Sequence, residues 1–437
     1  MKVIIQKFGG TSVSTVERRT QVVAKVKAAI EKGYSPVLVV SAMGRLGEPY
    51  ATDTLLSLID NKFKKNNLQA VDMIMCCGEI ISSVIISNIL ENEGIKSMPL
   101  TGGQAGIITD DDFSCAELIC TSSDKILKLI EQGITPVVCG FQGMSESGFF
   151  TTLGRGGSDT SACILGEALN AEEIEIYTDV DGMMTADPRI VRNAALIHTI
   201  TYNESFQLAE RGAKVIHPKA VECARKANIP LVIKNTMSDS KGTLINSVGD
   251  KNYNKIISGI THLNNRTQIT LNHKDNKENK NYRYLLEILA ENNISLDLIN
   301  IFPSEQIFTI DSNKKEKAEG ILKSCNLKYK ILDECSNIAI VGANMRGVPG
   351  IMSKIIKVLD ENSIEILQTA DSNMTIWCLI NSENIEKALN LLHASLILFS
   401  SSCSSILFSI FDEYKFFCII KSSCIILVYT RGFYLFT

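Results

Sequence analysis

Short apolar runs alternate with longer amphipathic stretches over residues 1 to about 245, and no other feature of the chain constrains its fold as strongly. The runs are rich in Val and Ile and predict buried strands at Val3–Phe8, Val37–Ala42, Pro136–Gly140, Ile174–Thr178 and Pro230–Lys234. Helical patterns lie between them at Thr15–Lys32, Asp72–Glu91, Asp124–Gln132, Ser158–Asn170 and Pro218–Ala227. This alternation predicts an α/β domain over residues 1–245, a mostly parallel sheet sandwiched by helices, with ligands beyond the carboxyl ends of the strands.

A polar stretch, Gly242–Lys255, has few large apolar groups and is interpreted as a linker. Two shorter units follow it, at 256–332 and 335–393, and each is predicted to have the order β-α-β-β-α, which makes them a weak internal repeat. The first has strand patterns at Ile269–Leu271, Leu296–Ile301 and Ile307–Asp311 and helical patterns at Asn281–Asn292 and Lys314–Cys325. The second has strand patterns at Ile338–Val341, Ile364–Thr369 and Thr375–Ile380 and helical patterns at Ile351–Glu361 and Ser382–Leu392.

The character of the chain changes at about Ala394. Residues 395–411 carry no charge but are interrupted by serines, so they form a poor membrane span. We interpret the tail at 394–437 as a non-native ending, such as an out-of-frame read-through, that leaves the second small unit incomplete at its last helix. A membrane-associating tail is the alternative interpretation. We expect poor order and a tendency to aggregate in this tail.

Charge and cysteine usage limit the partners and the compartment. The 437 residues include 48 acidic and 44 basic side chains, so the net charge of −4 gives no basic footprint for a nucleic acid. The 13 cysteines form no CxxC pair, and no signal peptide precedes the first predicted strand. We therefore expect reduced thiols in a cytoplasmic protein. The cysteines and the five histidines do not cluster at zinc-ligand spacing, so no zinc site is predicted.

The first predicted strand ends in Lys7-Phe8-Gly9-Gly10-Thr11-Ser12. Two glycines allow a ligand to approach the backbone closely, consecutive amides can point at an anion, and the lysine adds a point charge. The spacing fits neither the Walker A loop nor the dinucleotide fingerprint. The residues alone leave two readings open: an anion site, or a tight strand-to-helix turn beside a solvated lysine.

A second glycine-rich segment, Gly154-Arg155-Gly156-Gly157-Ser158-Asp159, precedes a helical pattern. The start of a helix binds anions through free N–H groups, and an arginine can hold a carboxylate or phosphate through two parallel bonds. A plain N-cap at Ser158 or Asp159 is the alternative, but a cap does not account for three glycines and an arginine. We favour a binding site here.

Further polar groups follow other predicted strands or interrupt helices. Thr178-Asp179-Val180-Asp181-Gly182 and Ala186-Asp187-Pro188-Arg189 are either Asp-rich turns or part of a nucleotide pocket with a carboxylate near Mg²⁺. Glu79 lies on an otherwise apolar helix face, where it is either a ligand group or a satisfied helix-end carboxylate. Lys214 alone would be a surface lysine. His217 precedes Pro218 and is expected to have a structural role at the helix start rather than a catalytic one.

Together these segments resemble the aspartate kinases of the amino-acid kinase superfamily. The matching motifs are KFGGTSV at 7–13, VVSAMG at 39–44, CGE at 77–79, GRGGSDTSA at 154–162, TDVDG at 178–182, TADPR at 185–189 and GAKVIHP at 212–218. SAMGRLGEPYATDTLLSL at 41–58 is similar to the monofunctional, diaminopimelate-sensitive bacterial type. The two small units are similar to ACT domains, the amino-acid sensors of these kinases, and the resemblance ends at about residue 393.

The resemblance implies transfer of the ATP γ-phosphoryl group to the side chain of L-aspartate, giving 4-phospho-L-aspartate, the first step toward lysine, diaminopimelate, threonine and methionine. The attacking carboxylate is already ionised at neutral pH, so no general base is needed, and catalysis is mostly alignment and charge neutralisation. The catalytic residues would be Lys7, oriented by Asp159, together with Arg155.

The binding residues implied by the resemblance fall into two sets. Aspartate would be held by Arg155, Gly156, Gly157 and Ser158 through its carboxylates, by Glu79 through its ammonium group, and by Ser41 and Thr52 along one side. ATP would contact Lys7, Phe8, Gly9, Gly10, Thr178, Asp179, Met184, Arg189 and Lys214. Mg²⁺ would bridge phosphate oxygens, with no resident metal ligands predicted in the protein.

Regulation is implied less specifically. Related kinases carry a glutamine four residues after an aspartate in the first ACT unit, whereas Asp297 is followed at that spacing by Ile301, with Asn300 one place earlier. The resemblance therefore implies an amino-acid effector without naming it, and a homodimer or higher homo-oligomer because ACT units pair edge to edge. The alternatives are a kinase for glutamate or acetylglutamate and a non-catalytic amino-acid sensor. The second of these alternatives predicts loss of Lys7, Arg155 or Asp159, and all three are present.

Overall fold

In a computed structural model of the chain, the described residues are 2–213, 215–250, 256–343, 345, 348–398 and three strands between 416 and 435. They divide into two compact units. The first consists of Met1–Met184 and Ala195–Lys251, and the second of Thr185–Ala194 and Asn252–Thr437. Most of the predicted tail at 394–437 lies outside the described residues, so the expectation of poor order there stays a prediction.

The first unit contains two sheets and nine helices among its described residues. Its strands are β1 Lys2–Phe8, β2 Tyr34–Val40, β3 Ser97–Leu100, β4 Ile107–Thr109, β5 Leu118–Thr121, β6 Thr135–Cys139, β7 Gln142–Ser145, β8 Phe150–Thr152, β9 Glu173–Thr178, β10 Thr199–Thr201, β11 Leu231–Asn235 and β12 Thr243–Asn246. Its helices are α1 Gly10–Val13, α2 Val16–Glu31, α3 Thr52–Leu56, α4 Asn61–Asn66, α5 Leu68–Asn92, α6 Asp124–Glu131, α7 Gly157–Ala168, α8 Tyr202–Glu210 and α9 Pro218–Ala227.

The larger sheet has eight strands in the order β10-β12-β11-β9-β1-β2-β6-β3. Every neighbouring pair is parallel except β11 with β12, which confirms the predicted mostly parallel sheet. All five predicted strands and all five predicted helices are present, with ends shifted by a few residues. The central strand β1 is buried over Val3–Phe8 because helices cover both of its faces.

Alternation along β1 decides which residues reach which layer. Phe8 packs into the core formed with α2 and α5, where Val22, Val26 and Ile86 are fully or almost fully buried. Ile5 lies on the other face, close to Gly166 of α7. Lys7 follows Ile5 by two residues and therefore points toward α7 as well, which brings a lysine to the start of that helix.

Two features of the first unit differ from what the sequence predicted. The predicted linker at Gly242–Lys255 is wrong over its first residues, because β12 pairs with β11 and β10 and continues the sheet. The second sheet, with strand order β5-β4-β7-β8, was not predicted at all. Its strands are only three or four residues long, and β5 is almost wholly exposed, so they lack a readable apolar period.

Helix α5 is the one described helix that is long and apolar enough to cross a membrane by length and composition. Half of its most hydropathic 18-residue window is buried within the structure. Its buried side includes Val71, Met75, Ile86 and Leu90, as expected of a core helix that packs on β3 and β6. The same helix carries Glu79, so the core helix also carries a predicted site residue.

The second unit is built around a six-stranded antiparallel sheet in the order β14-β15-β13-β16-β18-β17. Its strands are β13 Gly259–Asn272, β14 Ile299–Ile301, β15 Glu305–Asp311, β16 Lys330–Val341, β17 Gln368–Asp371 and β18 Thr375–Asn381. Its helices are α10 His273–Asn276, α11 Leu285–Glu291, α12 Lys315–Ser324, α13 Ile351–Asp360 and α14 Ile385–His393. Short 3₁₀ turns lie at Lys280–Tyr282, Ser312–Lys314 and Ser382–Asn384, and the remaining strands are β19 Phe416–Lys421, β20 Cys424–Tyr429 and β21 Gly432–Leu435.

The two long strands β13 and β16 pair with each other, and each half of the sheet then repeats the same order outward. The predicted internal repeat is therefore confirmed. The last helix of the second half is present as α14, and a π-helical turn at Ala394–Leu398 follows it. Leu396 and Ile397 of that turn are buried in the same core as Ile338 and Leu389, so the first residues of the tail are packed.

The segment Thr185–Ala194 leaves the first unit and packs with the second. Ala186 and Val191 are buried in the core of the second half, and the Asn390 side chain donates to the Ile190 carbonyl at 3.1 Å. The predicted nucleotide residue Arg189 belongs to this segment. Its guanidinium lies 2.7 Å from the Asp187 carboxylate, with most of the arginine side chain exposed.

Candidate active site

The glycine turn after β1 packs closely against the loop that follows β2. Gly9 donates its N–H to the Tyr177 carbonyl at 3.1 Å, and Gly44 donates to the Gly10 carbonyl at the same distance. A Cβ on Gly10 would lie 2.6 Å from the Ala42 carbonyl oxygen, so any side chain would push the two loops apart. The glycines therefore place the backbone of residues 41–44 beside the end of β1.

Lys7 and Asp159 form an ion pair at the centre of the site. The lysine Nζ lies 2.5 Å from the Asp159 Oδ1, and the two side chains are 11% and 13% exposed. Asp159 is the third residue of α7, where a carboxylate interacts favourably with the positive end of the helix dipole. Residues 152 positions apart in the chain thus meet because β1 and α7 pack together.

Glu79 approaches the same site from α5. Its side chain is 2% exposed, and one carboxylate oxygen accepts the Ala42 N–H at 3.0 Å. The other oxygen is buried and has no hydrogen-bond partner in the part of the chain that the structure describes. Desolvation raises the pKa of Glu79 to about 8, although the bond from Ala42 opposes the shift. A buried carboxylate oxygen without a partner is suited to receive a donor from a ligand.

The loop that carries Ala42 sits unusually close to α5. A Cβ on Gly78 would lie 2.7 Å from the Ala42 Cβ, so only glycine at 78 allows this approach. The CGE motif thus has a physical reason. The glycine admits the loop, and the glutamate one residue later is held by the backbone N–H of that loop.

These groups surround one cavity of about 330 Å³. Its walls come from the glycine turn, the loop after β2, α5 and the start of α7. The predicted site residues that line it are Lys7, Gly10, Ser41, Thr52, Glu79, Arg155, Gly156, Gly157, Ser158 and Asp159. The structure therefore brings together the predicted catalytic residues and the predicted aspartate-binding residues.

Arg155 lies on the loop before α7 and is exposed toward the cavity. Within the described part of the chain it makes no side-chain hydrogen bond or ion pair, so its guanidinium is available to an anion. Gly156 has a φ of +71°, and a Cβ there would lie 2.1 Å from the His217 ring. His217 itself caps α9, where its ring nitrogen accepts the Lys219 N–H at 3.3 Å, which confirms the expected structural role.

The predicted nucleotide residues are less completely gathered. Asp179 follows β9, and its carboxylate binds the Arg45 guanidinium at 2.8 Å. Met184 forms an isolated bridge with Leu196. Thr178 and Gly9 lie beside the cavity rather than in its wall, and the Phe8 side chain is fully buried in a stack on Tyr177. Only the backbone of Phe8 can therefore reach a ligand, and Lys214 lies outside the described residues.

Arg45 was not predicted, yet it lines the cavity and pairs with Asp179. The sequence contained a signal for this residue: in the loop after β2, Arg45 directly follows Gly44. A second unpredicted residue is Asp72, which is fully buried on α5. Among the described residues no group of three or more His, Cys, Asp or Glu side chains could hold a metal ion.

Comparisons with known proteins agree with this geometry. The model of the amino acid kinase family matches residues 2–235, and that of an ACT domain matches residues 330–394. The chain is 43% identical to aspartokinase 1 of Bacillus subtilis over 398 residues, which span 90% of this chain and 98% of the relative. Among solved structures, aspartate kinase of Clostridium acetobutylicum has a TM-score of 0.74 at 25% identity, covering 90% of this chain and 100% of that one. E. coli aspartokinase III in complex with aspartate and ADP has a TM-score of 0.74 at 23% identity with the same coverage, which shows the shared fold.

Proposed function

The chain belongs to the aspartokinases of the amino acid kinase family, and on that basis we propose which of its residues hold and align the two substrates. The protein is an aspartate kinase with ACT-mediated regulation. It transfers a phosphoryl group from ATP to the side-chain carboxylate of L-aspartate in the synthesis of the aspartate-derived amino acids. One observation carries the proposal: an ion-paired lysine, an available arginine and a buried carboxylate with a free oxygen line the same cavity.

We assign the transfer step to Lys7 and Asp159. The nucleophile is an ionised carboxylate and the electrophile is a polyanion, so the reaction needs positive charge between them rather than a base. Lys7 supplies that charge, and Asp159 fixes the direction of its ammonium group from 2.5 Å away. The Gly10 amide adds a donor beside the same phosphoryl group. The Gly9 amide was expected to do the same, but its N–H donates to the Tyr177 carbonyl. In this role the protein contributes position and charge.

We assign aspartate binding to opposite walls of the cavity. Arg155, with the amides of Gly156 and Ser158, receives the carboxylates at the start of α7, where an arginine fork and a helix dipole both favour an anion. Gly157 was expected to take part as well, but its N–H donates to the Gly154 carbonyl at 3.0 Å. Glu79 receives the substrate ammonium at its unpartnered oxygen. Ser41 and Thr52 line the side between them. This arrangement recognises a compact zwitterion with a second acid group.

We assign ATP to the edge formed by the glycine turn and the loop after β9. The contacts would come from the backbone of Phe8, Gly9 and Gly10 and from Thr178, Asp179, Met184, Arg189 and Lys214, together with Lys7. Mg²⁺ would accompany the nucleotide and neutralise part of its charge; no residue is assigned to hold it, because this ion retains most of its water and favours phosphate ligands. The Arg45–Asp179 pair lies at this edge and would have to tolerate the arriving polyanion.

We further propose three domains, at residues 1–245, 256–332 and 335–393, followed by an atypical tail at 394–437. The two repeat halves of the second unit take an amino-acid effector, and the chain forms a homodimer or higher homo-oligomer in the cytoplasm. In the first half, Asn300 accepts from Gln368 of the second half at 2.6 Å. That bond joins the amide of Asn300 to the second half. An inhibition panel of lysine, threonine and diaminopimelate would identify the effector.

Hydroxamate formation from aspartate and ATP tests the assignment of Arg155. Arg155→Ala should raise the KM for aspartate by about a hundredfold, since two charge-assisted bonds to a carboxylate are lost. The matched control is Arg225→Ala, an exposed arginine in the last turn of α9 that does not line the cavity. An unchanged KM for aspartate in Arg155→Ala would remove Arg155 from the aspartate site.

A further inference from the structure

Asp72 is a buried acid that the proposed mechanism does not use. It lies on α5, seven residues and about two helical turns before Glu79, and it is 0% exposed. Its Oδ2 accepts the backbone N–H groups of Ser114 at 2.9 Å and Thr152 at 2.8 Å. Its Oδ1 accepts the hydroxyl groups of the same two residues at 3.1 and 3.0 Å. One carboxylate therefore ties two separate backbone segments to α5.

Both segments lead to the loop that carries Arg155. Thr152 is the last residue of β8 and stands three positions before Arg155. Ser114 touches the same loop from the other side, because its carbonyl oxygen lies 3.5 Å from the ideal Cβ position of Gly154. The two segments are also bonded to each other, since Ala116 donates its N–H to the Thr152 carbonyl at 2.9 Å.

The desolvation cost of burying the Asp72 carboxylate suggests that this residue has a role beyond stabilising the fold. Burial raises the pKa of Asp72, while the bonds from Ser114 and Thr152 oppose the shift. A buried acid held by four donors costs desolvation that well-packed apolar groups would avoid. What the acid provides is a fixed position for two backbone amides, which no apolar side chain can supply.

We propose that Asp72 is a positioning residue for the aspartate site. It fixes the loop of Arg155 against the helix that carries Glu79, and it thereby sets the separation between the group that binds the substrate carboxylate and the group that binds its ammonium. The inference rests on the proposed roles of Arg155 and Glu79. It adds that a residue outside the cavity wall determines how well the two walls match one substrate.

The bonding pattern shows which substitution should restore the function. In Asp72→Asn the amide oxygen can accept both backbone N–H groups, and the NH₂ can donate to both hydroxyl oxygens after these rotate. The loop then keeps its place although the charge is gone. In Asp72→Ala all four bonds are lost, and two backbone N–H groups are left without a partner in a buried region.

The experiment compares steady-state kinetics for both substrates in four variants of the full-length chain. Asp72→Ala should raise the KM for aspartate by about tenfold to a hundredfold, because a shift of about 1 Å in a binding loop is enough for such a loss. The KM for ATP should stay within about twofold, and Asp72→Asn should recover the KM for aspartate to within about threefold. Glu204→Ala is the control: this buried carboxylate accepts two bonds from Thr201 at the start of α8 and should lower the melting temperature without changing the KM for aspartate.

Three results would overturn the inference. These are equal changes in both KM values in Asp72→Ala, an aspartate defect in Glu204→Ala as large as that in Asp72→Ala, or an Asp72→Asn enzyme as impaired as the alanine variant. If Asp72→Ala does not fold, Thr152→Val removes one hydroxyl bond and should give a smaller rise of the same kind. Arg155→Ala is measured alongside: a normal aspartate KM there defeats the proposed function, whereas a defect there with none in Asp72→Ala defeats only the positioning role.

Discussion

The two parts of the cavity wall that are proposed to meet the phosphoryl group and the substrate ammonium, called here its phosphoryl end and its ammonium end, differ in their electrostatics. At the phosphoryl end, Lys7 and Asp159 satisfy each other before any substrate arrives, and both side chains retain slight exposure. At the ammonium end, Glu79 is more deeply buried; its carboxylate accepts the Ala42 N–H, and its other oxygen has no partner among the described residues. One end is complete in the free enzyme, and the other becomes complete only when a cation enters.

The difference follows from what each end has to do. Charge that stabilises a transition state acts best when it is already oriented, because no reorganisation is then needed during the reaction. A group that selects a substrate acts best when its own charge is costly without that substrate, because a wrong ligand then leaves a buried charge unpaired. Under the proposed assignment, the cavity separates the alignment of phosphate from the selection of an amino acid.

The largest effect on activity should come from substitution of Lys7, at the phosphoryl end. Lys7→Ala leaves Asp159 and the phosphates as unrelieved negative charges in the same space, so kcat should fall by about a thousandfold or more. Lys25→Ala is the matched control, because Lys25 is similarly buried and also pairs with an aspartate, the exposed Asp239, but does not line the cavity. Circular dichroism should show both variants folded. Near-normal hydroxamate formation by Lys7→Ala would contradict the assignment of that lysine.

Substitution of Glu79, at the ammonium end, should have a smaller effect, and that effect should fall mainly on the KM for aspartate. Glu79→Ala removes the only proposed partner of the substrate ammonium, and the KM for aspartate should rise by about a hundredfold, the cost of an unpaired charge in a buried site. The KM for ATP should change far less. Glu79→Gln keeps an oxygen for the Ala42 N–H and removes only the charge, so it separates the electrostatic loss from a shift of the loop. Equal changes in both KM values would argue against the ammonium contact.

The pH dependence should distinguish the ends further. Because desolvation raises the pKa of Glu79 to about 8, this carboxyl is protonated in the free enzyme below that pH. Aspartate binding requires the ionised form, so kcat/KM for aspartate should rise by about tenfold per pH unit as the pH approaches 8 from below and then level off. In Glu79→Gln this limb should disappear. A wild-type profile that is flat between pH 6 and 8 would contradict the prediction.

The same shift has a consequence for stability, with the opposite sign from that of a salt-bridged acid. A raised pKa means that the folded state binds the proton more tightly than the unfolded state does. The contribution of Glu79 to stability therefore falls as pH rises from about 4.5 to about 8, the unfolded and folded pKa values. Relative to wild type, Glu79→Gln should gain melting temperature at pH 8 and show little difference at pH 5. Equal differences at the two pH values would mean that the carboxyl is ionised throughout.

Local signatures allowed the five strands, the main helices and the two glycine-rich segments of the cavity wall to be predicted, whereas Ser41 and Thr52 came only from the resemblance and Arg45 was not predicted. Runs of Val and Ile identify a buried strand, and glycines with one charged residue identify a turn that meets an anion. The resemblance then assigned the roles. Asp72 could not be assigned in this way, since a single acid on an apolar helix has no local pattern. Its meaning depends on Ser114 and Thr152, which reach it only through the tertiary fold.

The missed parts have similar causes. The second sheet of the first unit is made of strands too short to show a period, and β12 was taken for linker because polar residues surround it. Arg189 was assigned to ATP by motif order and that assignment stays a prediction, but no local pattern showed that Ala186 and Val191 beside it are buried in the core of the second unit. Local chemistry predicts which residue types matter, but long-range packing decides which unit holds them.

The smallest effect should follow from removing the tail, because every residue that lines the cavity lies between Lys7 and Asp159. Truncation after Leu398 should leave kcat and both KM values unchanged. Truncation after Ala394 also removes Leu396 and Ile397, which are 5% and 7% exposed in the core of the second repeat half. Each buried side chain of this kind contributes about 1.5–3 kcal/mol, so the shorter chain should unfold earlier in urea while the cavity chemistry persists. If truncation after Leu398 abolished hydroxamate formation, the prediction would be wrong, because the activity would then depend on the tail.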